Sequence, residues 1–230
     1  MEVVGCFPFL LFALVGGLIV ALVVHAAKAA RRRQEALAAF AAQYGWTYLP
    51  ARRTDLEGRW PKFPFLRQGD RRYAANYLEG EWRGHRACAF DYHWEETTGT
   101  GEDRRTTSYA ATFVIVSPSL RLQPFAVRPE GIFDRVAEFF GAQDIDFESA
   151  EFSRRFHVSS PDRRWTFDLF HPRCIEFFMA EGFQRMACDG TSLAADWQTR
   201  ILTPMEIYQR LERLHRFLDQ MPSHLRAEGA

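Results

Sequence analysis

From Val3 to Val24 no charged side chain interrupts a run of apolar and small residues. A helix over that stretch rises about 1.5 Å per residue and would be roughly 33 Å long, about the thickness of a bilayer's hydrocarbon core. The run therefore predicts a transmembrane helix, with the bilayer as the first partner of residues 3–24. A cleavable signal peptide is the alternative, and Val24-His25-Ala26 offers cleavage-like spacing, but Glu2 stands where a basic leader belongs and the run is over-long. Val3-Val4-Gly5-Cys6 has a lipobox-like pattern without an export segment before it, so Cys6 reads as a lipid-facing side chain.

The positive charges come after the run, at Lys28, Arg31, Arg32 and Arg33. By the positive-inside rule this membrane-proximal cluster marks the cytoplasmic end, which predicts a single-pass protein of a bacterial plasma membrane with its N-terminus outside and its large domain in the cytosol. Such a cluster also attracts anionic lipids. In a reducing compartment Cys88, Cys174 and Cys188 are expected as free thiols. Acids and bases balance at 29 each over the chain, but the first 33 residues hold four bases and one acid, leaving 25 bases against 28 acids beyond. A mildly acidic domain has no basic footprint for nucleic acid, and none is expected as a partner.

The expected organisation is an anchor over 1–27, a basic helical stem over 28–45, one domain over 46–222 and a flexible tail over 223–230. Within the stem, Leu37, Phe40, Ala41 and Tyr44 recur at spacings of three and four, and Gly45 is placed to end the helix. Residues 50–70 hold three prolines and two glycines and read as loop with short pieces. Residues 72–82 and 85–95 alternate around Arg83-Gly84, a hairpin pattern. In the second strand the period of two sends Cys88, Phe90, Tyr92 and Trp94 to one face, and Asp91 with His93 to the other, where a solvent-facing pair is expected. Glu95–Thr106 reads as a long exposed loop, Thr107–Ser117 as a central strand and about 121–127 as a fourth strand.

Helices then alternate with short strands. Pro129 and the stripe Ile132, Phe133, Val136, Phe139 and Phe140 predict a helix ending at Gly141. Ser149 is placed to cap a turn through Phe152, and short helices are expected near 161–169 and 172–181 behind Ser160-Pro161 and His171-Pro172. Asp189-Gly190 centres a hairpin. Thr203-Pro204-Met205-Glu206 has the form of a capping box, followed by Ile207, Leu211, Leu214, Leu218 and Met221 at helical spacing, a stripe for core packing or for a short coiled-coil seam. The predicted class is α+β: an N-terminal transmembrane helix, then one domain with a mainly antiparallel sheet and packed helices.

No motif assembles a catalytic, cofactor or metal site. Neither a Gly-x-Ser-x-Gly elbow, a Walker loop nor a dinucleotide fingerprint occurs, and His171-Pro-Arg-Cys174 with Cys188 lacks a fourth ligand for zinc. Asp91 and His93 form the one acid–base pair that strand parity derives. The carboxylates of Asp144, Asp146 and Glu148 read as a solvated strand edge. Two functions follow: an interaction or scaffold module that holds a protein partner, or a second copy, at the membrane; or a hydrolase-like enzyme using some of Asp91, His93, His171, Cys174 and Cys188. The second requires at least three of these side chains in one cleft.

Three stretches carry a resemblance: Arg128-Pro129-Glu130, then Phe147-Glu148-Ser149-x-Glu151-Phe152-x-Arg154-Arg155-Phe156-x-Val158-x-Ser160, then His171-Pro172-Arg173. With the order of span, basic helix and domain, this resembles an uncharacterised family of single-span membrane proteins of actinobacterial type. The resemblance implies no assigned activity and no catalytic residues. Read physically, the second stretch is a clasp in which Phe147, Phe152 and Phe156 anchor a capped turn while Arg154 and Arg155 reach carboxylates.

Overall fold

The computed structural model describes residues 7–131, 145–196 and 198–227. The helix expected around 132–141 and the carboxylate Asp144 lie outside them. The first element, α1, runs unbroken from Phe7 to Tyr44, so the apolar run and the basic stretch form one helix about 57 Å long at 1.5 Å per residue. From Leu14 to Val24 its side chains are exposed, and it is the one helix among the described residues long and apolar enough to cross a membrane. Its last three turns differ: Leu37, Phe40 and Ala41 are buried, and Gly45 ends it at φ +69°, a left-handed conformation suited to glycine.

Eight strands follow in one sheet: β1 (Thr47–Leu49), β2 (Asp70–Trp82), β3 (His85–Thr98), β4 (Arg105–Ser117), β5 (Phe125–Pro129), β6 (Phe156–Ser159), β7 (Met186–Cys188) and β8 (Leu193–Ala195). Their spatial order is β1-β2-β3-β4-β8-β7-β5-β6 and every pairing is antiparallel. The architecture is the α+β arrangement expected. The helices are α2 (Leu56–Arg59), α3 (Ala150–Arg155), α4 (Arg163–Leu169), α5 (Pro172–Ala180), α6 (Pro204–Asp219) and α7 (Ser223–Ala227).

Local chemistry accounts for these elements. Arg83 and Gly84 both take positive φ, as a two-residue turn matched to strand twist requires, and Trp82 pairs with His85 across it. Ser149 Oγ accepts from Phe152 N at 3.3 Å at the head of α3. Thr203 and Glu206 complete the capping box of α6. Two boundaries differ from expectation. Half of the 95–106 stretch is strand, since β3 and β4 stay in register out to Thr98 opposite Arg105 and six residues turn between them. Asp162, not Ser160, caps α4 by accepting from Trp165 N at 2.9 Å.

Alternation gives the sheet two apolar faces. On one, α1 and α6 pack against Leu78, Ala89, Val114 and Val116. On the other, Leu56, Trp60, Phe63, Phe65 and Leu66 of the proline-punctuated segment cover Tyr77, Phe90, Tyr92 and Phe113. The sheet is buried on both sides because a loop does the work of a second helical layer. Gly80 belongs to this economy: a Cβ there would lie 2.3 Å from the Trp46 indole, so the close approach of α1's trailing segment to β2 requires glycine.

The direction of α1 over the sheet is set by two contacts. Arg33 reaches Asp91 on β3, and eleven residues later the Tyr44 ring lies 5.0 Å from that of Trp82, which pairs with His85. The helix therefore runs antiparallel to β3 and in the same sense as β4. The β3–β4 hairpin points back along α1 toward its apolar end.

Candidate functional site

Asp91 is 2% exposed, in contrast to the solvent-facing position expected for it. Strand parity puts it on the helix-covered face, and a carboxylate there requires partners to offset its lost hydration. It has four donors: Arg33 Nε and Nη2, each at 2.7 Å, Thr112 Oγ1 at 2.6 Å and Asn76 Nδ2 at 2.9 Å. The Arg33 contact is the two-pronged guanidinium–carboxylate geometry that Arg adopts and Lys cannot. Arg33 Nη1 also donates to the Leu202 carbonyl at 2.6 Å, and Leu202 N donates to Thr112 Oγ1 at 2.9 Å. One turn after the basic cluster begins, α1 is thus fastened to β2, β3, β4 and the segment entering α6.

The rest of the cluster behaves differently. Lys28 and Arg32 are exposed, and Arg31 pairs at 2.9 Å with Glu35 one turn on, a contact of little energy at a hydrated surface. Arg33 alone belongs to the domain's interior chemistry.

His93 shares the face of Asp91. Its ring stacks on Tyr73 at 4.6 Å, and burial pushes its pKa down while Asp91 opposes that shift. The carboxylate is committed to its four donors, so the two residues form no isolated acid–base dyad. His171 lies elsewhere, at the head of α5, where Nε2 donates to the Gln220 carbonyl at 3.1 Å. Cys174 and Cys188 are sealed in the helix-side core, and Cys88 is buried on the opposite face. Burial pushes the Cys88 and Cys174 thiols up to about 12 and the Cys188 thiol higher still, the reverse of what a nucleophile needs. These positions do not bring three of the five side chains into one cleft. Among the described residues no three His, Cys, Asp or Glu side chains are grouped to hold a metal ion.

Several clefts open among the described residues. The first, about 550 Å³, lies between α4, α5 and the C-terminal turn, with Phe147, Phe167 and Phe170 on its walls and His171 and His224 at its rim. Phe147 also meets Phe152 at 5.5 Å, and Phe152 meets Phe156 at 5.3 Å, so the aromatic clasp is assembled. The second, about 530 Å³, opens beside the lower half of β4 on the face away from α1. Trp94 and Tyr109 stack there at 5.5 Å, and Glu96, Arg185 and Asp196 line it together with Gln68, Gln184 and Gln198. The Arg33–Asp91 fastening had one legible signal, an acid in the apolar-parity series Ala87, Ala89, Asp91. The second cleft had none, because it is formed by segments distant in sequence.

No family model matches the chain, and no curated protein matches it. Among solved structures it is similar to the crystal structure of the mycobacterial trehalose monomycolate transport factor A, TtfA, with a TM-score of 0.56 at 15% identity, over 84% of this chain and 97% of that one. At that identity the likeness is one of fold. It places the architecture beside a protein of actinobacterial type.

Proposed function

We propose that the chain is a single-pass protein of the bacterial plasma membrane whose cytosolic domain is an interaction module of a transport process. The observation that carries this reading is the Arg33–Asp91 fastening. A helix that leaves the membrane and runs unbroken into the domain core, where a buried carboxylate holds it, fixes the domain relative to the bilayer. A free cytosolic enzyme on a tether needs no such rigidity; a module that must present one face to neighbours in the membrane does. The likeness to a transport factor supports the process, the charges at Lys28, Arg31 and Arg32 support the cytosolic side, and the sealed thiols and committed Asp91 argue against catalysis by those groups.

Paired reporter fusions to the C-terminus of the full chain test topology: a fluorescent protein active only in the cytosol and a phosphatase active only outside. Fluorescence without phosphatase activity is expected, and the reverse would overturn the orientation. Affinity purification from detergent-solubilised membranes should retain an integral membrane protein with the wild-type chain and lose it when residues 1–24 are removed.

A further inference from the structure

Two outer stretches of this sheet are covered by neighbouring segments. The lower part of β2 is covered by the 50–53 segment: Ala74 and Arg53 exchange backbone bonds at 2.7 and 2.8 Å. At the far end β6 accepts Ile145 N at 3.1 Å through the Val158 carbonyl. Strand β8 covers β4 only at Ile115 and Val116, and the Arg200 carbonyl takes Thr112 N at 3.0 Å. Below that point no described residue pairs with β4 on the side away from β3. In an antiparallel ladder both backbone groups of a residue face the same side, so Thr112 N pointing outward fixes Ala110, Ser108 and Thr106 as outward too. Their N–H and C=O groups form six open positions on Thr106-Thr107-Ser108-Tyr109-Ala110-Ala111, a stretch with β-favouring Thr106, Thr107 and Tyr109 and no proline, bulge or lysine to block pairing. The second cleft opens beside this edge, with Tyr109 and Ala111 common to both.

We propose that this edge of β4 takes an extended juxtamembrane segment of a different integral membrane protein by strand addition, with alternate side chains of that segment entering the Trp94–Tyr109 cleft. The proposal rests on the membrane-anchored reading above. The level fits: Thr112 pairs with Asp91, beside Arg33, and Thr106 lies about 20 Å from it toward the anchor at 3.3 Å per residue. The end of the apolar run at Val24 is about 14 Å from Arg33 along the helix. The part of the open edge at Ala110 and Ser108, about 7 and 13 Å from Thr112, therefore stands between the level of Arg33 and the end of the apolar run, where such segments emerge. A second copy is disfavoured as occupant by direction. Because β4 runs in the same sense as α1, two copies anchored alike in one bilayer present parallel strands, and antiparallel pairing would turn one anchor around. The cleft sets an aromatic pair beside Glu96, Arg185, Asp196 and three glutamines, which suits polar side chains that can hydrogen-bond next to an aromatic face; the backbone ladder supplies affinity and the cleft selects the sequence.

The test uses the full chain in its native membranes, with the photo-crosslinking amino acid p-benzoylphenylalanine at Thr107, whose side chain shares the cleft face, and at Thr191 as a distant exposed control. A discrete adduct with another membrane protein is expected from position 107 and not from 191. Adding Ala110→Pro or Ser108→Pro removes one outward N–H without deleting a β3–β4 ladder bond, and should cut the adduct about tenfold while the melting temperature stays within a few degrees. Hydrogen exchange should find the amides of 106, 108 and 110 fast in the purified chain and slow in the purified crosslink-free complex, with 107 and 109 slow in both. An adduct of twice the chain's mass, labelling of lipid alone, or an adduct insensitive to both prolines would overturn the proposal. If both proline variants still retain the membrane partner on affinity purification, this edge is wrong and the interaction reading stands; if the wild-type chain retains none, that reading itself fails.

Discussion

Removing Arg33 measures how firmly α1 and the domain are one body. In Arg33→Met the aliphatic stem survives, but Asp91, 3% exposed at its side chain, loses two of its four donors and its counter-charge. Breaking a buried pair in this way costs about 3–5 kcal/mol. Arg33 keeps 20% of its side-chain surface, and Thr112 and Asn76 still donate, so the low end applies, about 3 kcal/mol. For a domain of this size that is roughly 6–12 °C in melting temperature. Asp91→Leu should cost a similar amount by leaving the guanidinium without its partner, whereas the double variant replaces both charges with apolar groups and should recover about 2 kcal/mol or more of the summed loss. Tryptophan fluorescence of the full chain in detergent micelles during heating and in urea reads all four proteins. A cost below about 0.5 kcal/mol for Arg33→Met, with no coupling in the cycle, would make the contact an ordinary hydrated pair and refute the rigid-arm argument.

Four smaller outcomes follow from the same structure. Burial holds the His93 and His85 pKa values below the ordinary 6.5, so the folded state binds fewer protons than the unfolded one; stability should fall as pH drops through 6.5, and His93→Phe should flatten that slope in urea melts between pH 7.5 and 5.5. In a Cys6→Ser chain, Cys88, Cys174 and Cys188 should resist a thiol reagent at pH 8 and react together on denaturation; rapid labelling of one in the native state would show that its surroundings open. Because those thiols are favoured neutral in the fold, their contribution is intact below pH 9 and is lost above it, so alkaline melts should drop steeply beyond that point. Thr203→Ala removes the capping hydroxyl of α6 and should cost about 1 kcal/mol, with Thr203→Ser restoring most of it.

The sequence carried those parts of this fold whose cause is local. The stripe at Leu37, Phe40 and Ala41, the Arg83-Gly84 turn, the Ser149 cap and the Thr203 box each lie within a few residues of what they determine, and each stands in the structure. Strand parity separated Cys88 from Asp91 correctly but assigned the wrong environment to Asp91, because parity gives a face and not what covers it. The cover is α1, which begins as an apolar span and reads as something that leaves the domain. The extent of the β3–β4 hairpin was misjudged for a similar reason. Glutamate and threonine at 95–98 and threonine at 106–107 look like loop by polarity, yet an unbroken register to Asp91 and Thr112 carries the ladder outward through them. Gly99 then closes it at φ +78°, where a Cβ would strike the Asp103 carbonyl.

That hairpin and the fastening at its base act on each other. A two-stranded ribbon with no apolar face has little stability of its own, and beyond Trp94 and Tyr109 this one has none to bury. Its stiffness comes from the base, where Asp91 on β3 and Thr112 on β4 sit side by side in the ladder and both bond to Arg33 or its neighbours. The residue pair that locks α1 to the sheet is therefore the pair from which the free ribbon projects along α1. Whatever orients the helix in the bilayer orients the open edge of β4 with it. Loosening Arg33 would leave the edge chemically intact while its height and facing drift relative to the membrane, so a partner that binds the edge should be lost from membranes in Arg33→Met even where the domain stays folded.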